Sequence, residues 1–247
     1  MEPSILYEDS DMLVVDKPAG MVVNRASTVT APTLEDWAAS RLSAITSRSQ
    51  GPRDPAIRVE FASRNGIVHR LDKDTSGVLV IAKHEAAFER LKQQFQDRTV
   101  AKQYIALVHG RMDAPVGTIH APVGRLPWAR TKFGVFAGGR DAKTLYEAKK
   151  GYRNPVTGKP LTLLTVKPHT GRTHQIRVHL RYINHPIVSD HLYGGRKQYQ
   201  LDRQFCPRMF LHAEHLTCNQ PTTGTLLTIT SELAPDLQQV LSTLEVQ

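Results

Sequence analysis

The chain has 247 residues, enough to bury a full hydrophobic core without disulfide or metal staples. Its composition, 40% hydrophobic and 22% charged, excludes a disordered tail, a fibrous repeat and a coiled coil. No apolar run approaches about 18 residues, the length of a membrane span. The formal net charge of +9 favours a polyanionic partner, with nucleic acid ahead of a membrane surface. The two cysteines, Cys206 and Cys218, predict free thiols in a reducing cytoplasm.

The N-terminal region is expected to form short strands followed by a helix. Ile5–Tyr7 and Met12–Asp16 predict two strands joined by an acidic turn, and the apolar run Met21–Val23 predicts a third. Thr33 is expected to cap a helix, because apolar residues recur after it at helical spacing. The polar segment Ser47–Arg58, which contains one glycine and two prolines, predicts a long surface loop.

Two elements of the central region have clear patterns. Val78–Ala82 is a continuous apolar run typical of a buried strand. Ala86–Thr99 places apolar residues on one helical face and Lys, Gln and Arg on the other, which predicts an amphipathic helix. Gln103–Val108 predicts another strand, whereas Thr118–Thr144 shows no strong period and predicts a loop rich in basic and aromatic residues.

The C-terminal half continues with strands and two helices. The predicted strands are Leu145–Ala148, Leu161–Val166, Phe210–Leu216 and Leu226–Thr230, and the predicted helices are Thr173–Ile183 and Pro235–Glu245. Strands outnumber helices and most connections are short, a pattern typical of antiparallel pairing. We therefore predict an α+β fold, with a mixed, mainly antiparallel β-sheet core and flanking helices, as a single domain over residues 1–247.

The segment Val68–Gly77, VHRLDKDTSG, has three interpretations. Its D-x-D-x-S-G pattern imitates the opening of a calcium loop, but the twelfth position is Lys83, where calcium needs a bidentate glutamate. A polar turn, in which Asp and Ser cap backbone donors, is the second interpretation. The third is a reactive carboxylate, Asp72, held ionised by the neighbouring Arg70 and Lys73 as a nucleophile or general base requires.

The segment His169–His179, HTGRTHQIRVH, also has alternatives. A metal pair on a helix is disfavoured, because His174 and His179 lie five residues apart, whereas such pairs prefer four. A scattered zinc set that adds His169 is disfavoured because no Asp, Glu or Cys joins the histidines nearby. Three interpretations are open for its arginines. They form a solvated helix face, they contact phosphate, or they pair with a buried carboxylate. The arginines concerned are Arg172, Arg177 and Arg181.

These two segments, together with four further motifs in the same order, resemble the RluA-type pseudouridine synthases. The motifs are Lys17–Gly20, His69–Asp72 with Thr75–Gly77, Lys102–Tyr104, Gly171–His179, His185–Ile187 and Leu211–Ala213. The likeness spans nearly the whole chain. Six separated motifs in register make the resemblance highly specific.

The resemblance implies an enzyme that isomerises uridine in RNA to pseudouridine without a cofactor or metal. The bond from sugar to base nitrogen is broken, the base turns, and it is rejoined through carbon 5. By motif position Asp72 is the catalytic carboxylate, Tyr104 stacks on the base and handles protons, and Arg177 pairs with Asp72. Arg70 is expected to help displace the target base from its stack. Nucleophilic and glycal mechanisms both stay open.

RNA contacts are expected outside the reacting centre. Arg130 and Lys132, in the basic and aromatic stretch, suit an RNA-clasping loop, and Arg172 and His174 lie where the predicted helix starts. The first catalytic-type motif comes almost at once, so we expect no separate N-terminal RNA-binding module. This expectation favours a small substrate such as tRNA, with ribosomal RNA as the open alternative.

Two functions from different classes follow. The first is a pseudouridine synthase, and the alternative is a catalytically silent RNA-binding module on the same fold. The intact set of Asp72, Tyr104 and Arg177 favours the enzyme. We expect a cytoplasmic monomer that acts on RNA, with no membrane association.

Overall fold

The structure is a computed structural model that describes residues 2–27, 29–43 and 55–247. The described strands are β1 (Ser4–Glu8), β2 (Met12–Lys17), β3 (Ser76–Ala82), β4 (Ala101–His109), β5 (Val116–His120), β6 (Val123–Leu126), β7 (Ala129–Val135), β8 (Lys143–Arg153), β9 (Pro160–Pro168), β10 (Leu211–Asn219), β11 (Leu226–Thr230) and β12 (Glu245–Val246). The described helices are α1 (Leu34–Ser43), α2 (Pro55–Arg64), α3 (Glu85–Gln96), α4 (Gln175–Tyr182), α5 (Arg196–Asp202) and α6 (Pro235–Thr243). The predicted α+β class is confirmed. None of these helices is long and apolar enough to cross a membrane.

The chain forms two compact units. Unit 1 contains Met1–Ala101 and Ala213–Glu232, and unit 2 contains Lys102–His212 and Leu233–Gln247. The single catalytic domain without a separate RNA-binding module stays a prediction.

Unit 1 is built on the strand order β1-β2-β3-β10, with β11 on β10. Strands β1 and β2 are antiparallel, as are β2 and β3, where Met12 faces Ala82 and Lys17 faces Gly77. Every residue of β3 is buried, which explains its continuous apolar sequence. The predicted strands here are confirmed, except the run Met21–Val23. The carbonyls of Val22 and Val23 accept hydrogen bonds from the first amides of α1. This run therefore pairs with the start of a helix and does not form a strand.

The helices of unit 1 follow their capping signals. Thr33 Oγ1 accepts the Asp36 N–H at 3.1 Å, and the Asp36 carboxylate accepts the Thr33 N–H at 2.8 Å. This reciprocal cap confirms Thr33 as the predicted helix start. The predicted loop Ser47–Arg58 is wrong from residue 55 onwards, because α2 begins at Pro55, a residue favoured in the first helical turn. Residues 47–54 of that prediction lie outside the described residues.

Unit 2 contains the strand order β4-β9-β8-β12, with β5 on β8, and a separate hairpin of β6 and β7. The β4–β9, β8–β9, β5–β8 and β8–β12 pairs are all antiparallel. Its core packs apolar residues of the sheet against α4 and α6, among them Leu107, Leu164, Leu180 and Leu237. The predicted strands and both predicted helices are confirmed, with α4 and α6 each shorter than predicted.

Sequence reasoning misjudged two parts of unit 2. The stretch Thr118–Thr144, predicted as a loop, holds most of β5, the β6–β7 hairpin and the start of β8. The hairpin pairs Arg125 with Phe133, and the guanidinium lies 5.0 Å from the ring centroid. The two strands are thus paired by a cation–π contact. Because these positions do not both carry apolar residues, the sequence lacks the alternation that predicts a strand. Helix α5 was not predicted, because its sequence RKQYQLD has no apolar stripe.

Candidate active site

Asp72 lies on the loop that precedes β3 in unit 1. Its carbonyl accepts the Thr75 N–H at 3.2 Å, which closes a turn. Leu71 is buried on one side of Asp72, whereas Asp72 itself is half-buried and Arg70 is exposed. The loop therefore has an anchored backbone, and its charged side chains reach solvent.

Lys17 secures this loop from the end of β2. Its side chain is fully buried, and Nζ donates to the carbonyls of Pro18 at 2.8 Å, Met21 at 2.9 Å and Lys73 at 3.2 Å. Gly20 N–H donates to the same Lys73 carbonyl at 2.8 Å. Because a buried ammonium needs acceptors to offset its lost hydration, these bonds form together. The turn after Lys17 therefore fixes the carbonyl of Lys73, the residue that follows Asp72.

His69 and Gly77 tie the two ends of the loop to unit 1. The His69 ring stacks on Phe95 with centroids 4.6 Å apart, and its Nε2 accepts the Val80 N–H at 3.0 Å. Gly77 has φ +114°, and a Cβ there would lie 2.1 Å from the Ala213 carbonyl oxygen. Only glycine fits such a close backbone approach. The loop is thus held before and after Asp72.

In unit 2, Arg177 forms a buried ion pair with Asp190. Arg177 Nε and Nη2 each donate to one Asp190 oxygen at 2.8 Å, and the two side chains are 5% and 0% exposed. Asp190 Oδ1 also accepts the backbone amides of Leu192 and Tyr193 at 3.0 and 3.1 Å. The sequence predicted Asp72 as the partner of Arg177. The carboxylate partner within unit 2 is Asp190, and pairing with Asp72 stays a prediction.

Tyr193 connects this pair to His174 and the hairpin. Its ring centroid lies 5.0 Å from the Arg177 guanidinium carbon, and its hydroxyl lies 2.8 Å from His174 Nδ1. The same hydroxyl accepts the Phe133 N–H at 3.2 Å. His174 adopts φ 56° at the start of α4, a left-handed conformation rare for non-glycine residues. The predicted RNA contact His174 is thus half-buried and hydrogen-bonded to Tyr193, and its side chain is not fully solvated.

Sequence reasoning missed Asp190 and Tyr193. Neither belongs to a motif singled out from the sequence, and no periodicity marks them. The two glycines after Tyr193 predict a turn, but a turn signal alone does not name the residues that it brings together.

Buried polar side chains hold the segment around α4 in place. Gln175 Oε1 accepts from Thr170 Oγ1 at 2.6 Å and from the Arg172 N–H at 3.0 Å. His179 Nδ1 lies 2.8 Å from Thr144 Oγ1, its Nε2 lies 2.9 Å from the Ala121 carbonyl, and burial lowers its pKa. His174 and His179 therefore have different partners. Within the described ranges, no group of three His, Cys, Asp or Glu residues could hold a metal ion.

Two other predicted RNA contacts, Lys132 and Arg172, lie in unit 2, the first exposed and the second half-buried. Arg172 Nε donates to the Asp141 carbonyl at 3.1 Å, and Lys132 is exposed on β7. The Arg130 side chain lies outside the described part of the chain. Trp128, in the turn of the hairpin, is 75% exposed.

Tyr104 and Lys102 share one face of β4, because alternate residues of a strand point the same way. Tyr104 faces Val166 of β9 and is half-buried. Lys102 is also half-buried, and burial, which disfavours the charged form, lowers its pKa to about 8. Its Nζ lies 3.9 Å from the position that a Cβ on Gly171 would occupy. A partly desolvated cation thus stands on the same strand face as the predicted active-site tyrosine.

Comparison with known proteins agrees with the motifs. The sequence model for RNA pseudouridylate synthases matches residues 11–182. The chain therefore belongs to the RluA-type RNA pseudouridine synthases, isomerases that convert uridine in RNA to pseudouridine.

Relatives and solved structures support this assignment over the full chain. The RNA pseudouridine synthase YlyB of Bacillus subtilis is 36% identical over 99% of this chain and 73% of its own length. Ribosomal large subunit pseudouridine synthase D of Nitrosomonas europaea is 38% identical over 96% of this chain and 64% of its own length. The structure of human RNA pseudouridylate synthase domain containing 1 superposes with a TM-score of 0.73 at 27% identity, covering 100% of this chain and 89% of that one.

Proposed function

We propose that this enzyme isomerises uridine in large-subunit ribosomal RNA, with Asp72 as its catalytic carboxylate. The anchored loop around Asp72 is the observation that carries the assignment of the residue. Lys17 and Gly20 both donate to the carbonyl of Lys73, the residue after Asp72, while Asp72 itself stays half-buried. A fixed backbone with an accessible carboxylate is what a nucleophile or general base requires.

The RNA class is inferred from the name of a relative. The Nitrosomonas europaea protein at 38% identity is named for the large ribosomal subunit. A ribosomal RNA substrate also agrees with the net charge of +9. Transfer RNA is the alternative that the sequence leaves open. We propose a cytoplasmic monomer, as the sequence predicts.

The reaction conserves atoms, because the base leaves the sugar through N1 and returns through C5. Asp72 acts at the sugar, either by attack on the anomeric carbon or by removal of a proton to give a glycal. Tyr104 offers a flat ring for the flipped base and a phenol for the proton that C5 loses and N1 gains. Arg70, exposed beside Asp72, fills the space that the flipped base leaves.

Arg177 is the cation that pairs with Asp72 in this proposal. An arginine has five N–H donors, more than the two that bind Asp190, so the Asp190 pair does not exclude a second carboxylate. Asp190 then has a separate task, which is to orient the guanidinium. The RNA is contacted at two places in this proposal. One is the β6–β7 hairpin, through Arg130 and Lys132, and the other is the start of α4, through Arg172 and His174.

The test is a map of pseudouridine in ribosomal and transfer RNA from cells with and without the gene. Cells lacking the gene are complemented with the parent or with Asp72→Asn. We expect at least one large-subunit site to disappear and to return with the parent only. Loss confined to transfer RNA would overturn the substrate. Restoration by Asp72→Asn would overturn the catalytic residue, and a parent that binds RNA without isomerising it would be the silent binding module.

A further inference from the structure

Helix α5 carries a cationic surface that the family motifs do not explain. Arg196, Lys197 and Arg203 are exposed, the first two on the helix and the third at its C-cap. Across the described ranges, no ion pair or side-chain hydrogen bond involves these three side chains. Their charge is therefore directed to solvent or to a partner.

The nearest acid in the sequence does not neutralise this surface. Asp202 is the only acidic residue between His191 and Arg208, and its side chain is 1% exposed. One of its oxygens accepts the Ser189 N–H at 2.9 Å, and the other accepts from Gln198 at 2.8 Å. Asp202 thus anchors α5 from its inner side, and the outer side keeps three positive charges.

The spacing of the cations suits a phosphodiester backbone. Arg196, Tyr199 and Arg203 follow at intervals of three and four residues, so they lie along one helical face. The two arginines are about 10 Å apart along the helix axis. The half-buried Tyr199 ring between them meets the exposed His191 edge to face, with centroids 6.3 Å apart. Cations that alternate with aromatic rings on a rigid element are typical of surfaces that hold single-stranded RNA.

The position of α5 links this surface to the chemistry of unit 2. The helix begins three residues after Tyr193, at the end of the turn in which Asp190 binds Arg177. We propose that Arg196, Lys197 and Arg203 form a phosphate-binding surface that anchors the RNA backbone beside the Arg177–Asp190 pair. This inference rests on the RNA substrate of the proposed function.

The test compares two triple variants with equal loss of charge. The first replaces Arg196, Lys197 and Arg203 with glutamine. The control replaces Lys149, Arg153 and Lys159, three exposed cations of β8 and the turn after it, with glutamine. The probe is a labelled RNA hairpin with uridines in its loop, and affinity is measured against salt concentration. Isomerase activity on ribosomal RNA is measured in parallel for the parent and both variants.

We expect the α5 variant to lose at least tenfold in affinity and to raise the KM for RNA. Its slope of log K against log salt should become shallower by about 2, as expected for three lost contacts to single-stranded RNA. Arg196→Lys with Arg203→Lys keeps the charges and should keep the slope. An unchanged slope, or an equal loss in the β8 control, would overturn the surface. A parent that does not isomerise uridine in ribosomal RNA would instead overturn the proposed function.

Discussion

Arg177 and Asp190 form a bidentate ion pair that joins α4 to the turn before α5. The side chains are 5% and 0% exposed, so neither charge has enough water to stabilise it alone. Two parallel N–H···O bonds fix the plane of the guanidinium, and the Tyr193 ring packs against it. The orientation of Arg177 is therefore set within unit 2.

Removal of Arg177 should damage both stability and activity. Arg177→Met leaves the Asp190 carboxylate buried without its cation, which typically costs about 3–5 kcal/mol of unfolding free energy. Arg177→Lys keeps the charge but loses the planar fork, and should retain a fraction of the activity. Urea unfolding and a pH–rate profile of each variant measure the two effects.

Two further variants separate orientation from chemistry. Asp190→Asn should be destabilised but keep more activity per folded molecule than Arg177→Met, because Arg177 still carries its charge. Arg181→Met is the control, since Arg181 is exposed on the same helix. A normal Arg177 variant beside an inactive Arg181 variant would show that the motif was assigned to the wrong arginine.

The neighbouring aspartates of the loop should differ sharply. Asp72→Asn replaces the carboxylate with an isosteric amide that is neither nucleophile nor base, so isomerisation should be lost while RNA still binds. Asp74→Asn, two residues away and also half-buried, should retain substantial activity. Tritium release from C5-labelled uridine in RNA measures both. Activity in the Asp72 variant would exclude this carboxylate from the mechanism.

The sequence predicted much of this architecture because its signals are local. The apolar run Val78–Ala82 predicts a buried strand by itself, and the amphipathic pattern of the α3 segment predicts a helix by itself. The Arg177–Asp190 pair could not be found in this way, because its partners meet through a turn that no period encodes. The β6–β7 hairpin escaped because Arg125 and Phe133 pair across strands as cation and ring. Lys17, recognised only as part of a motif, acquires its physical role from three carbonyls that folding brings together.

The hairpin should contribute a measurable share of the salt dependence of RNA binding. Arg130→Ala with Lys132→Ala should weaken binding and make the slope of log K against log salt shallower by about 1.4, because each lost contact to single-stranded RNA contributes about 0.7. The loss should appear in KM for RNA. Lys149→Ala with Lys159→Ala removes equal charge elsewhere in unit 2 and serves as the control. A slope equal to that of the parent would show that the hairpin does not touch phosphate.

Lys102 should lower the free energy of unfolding at neutral pH and at the same time support RNA binding. Burial lowers its pKa from 10.5 to about 8, so between these values the unfolded chain binds more protons than the folded chain. The contribution of Lys102 to unfolding free energy therefore rises with pH from about 8 to 10.5, and at pH 7 its buried charge is destabilising. Lys102→Met should accordingly have a higher Tm than the parent at pH 7, with the difference shrinking above pH 8.

The same variant should bind RNA more weakly, because residues kept at the expense of stability commonly serve a ligand. The charge of an arginine does not titrate in this range. The RNA affinity of Lys102→Arg should therefore be at least as high at pH 9 as at pH 7, after correction for pH effects on the rest of the protein and the RNA. Lys149→Met, at an exposed site, should change neither the Tm nor its pH dependence. Thermal unfolding and RNA binding from pH 7 to 10 provide the measurements. A Lys102→Met protein that is less stable than the parent at every pH would show that the ammonium supports the fold and is not held for a ligand.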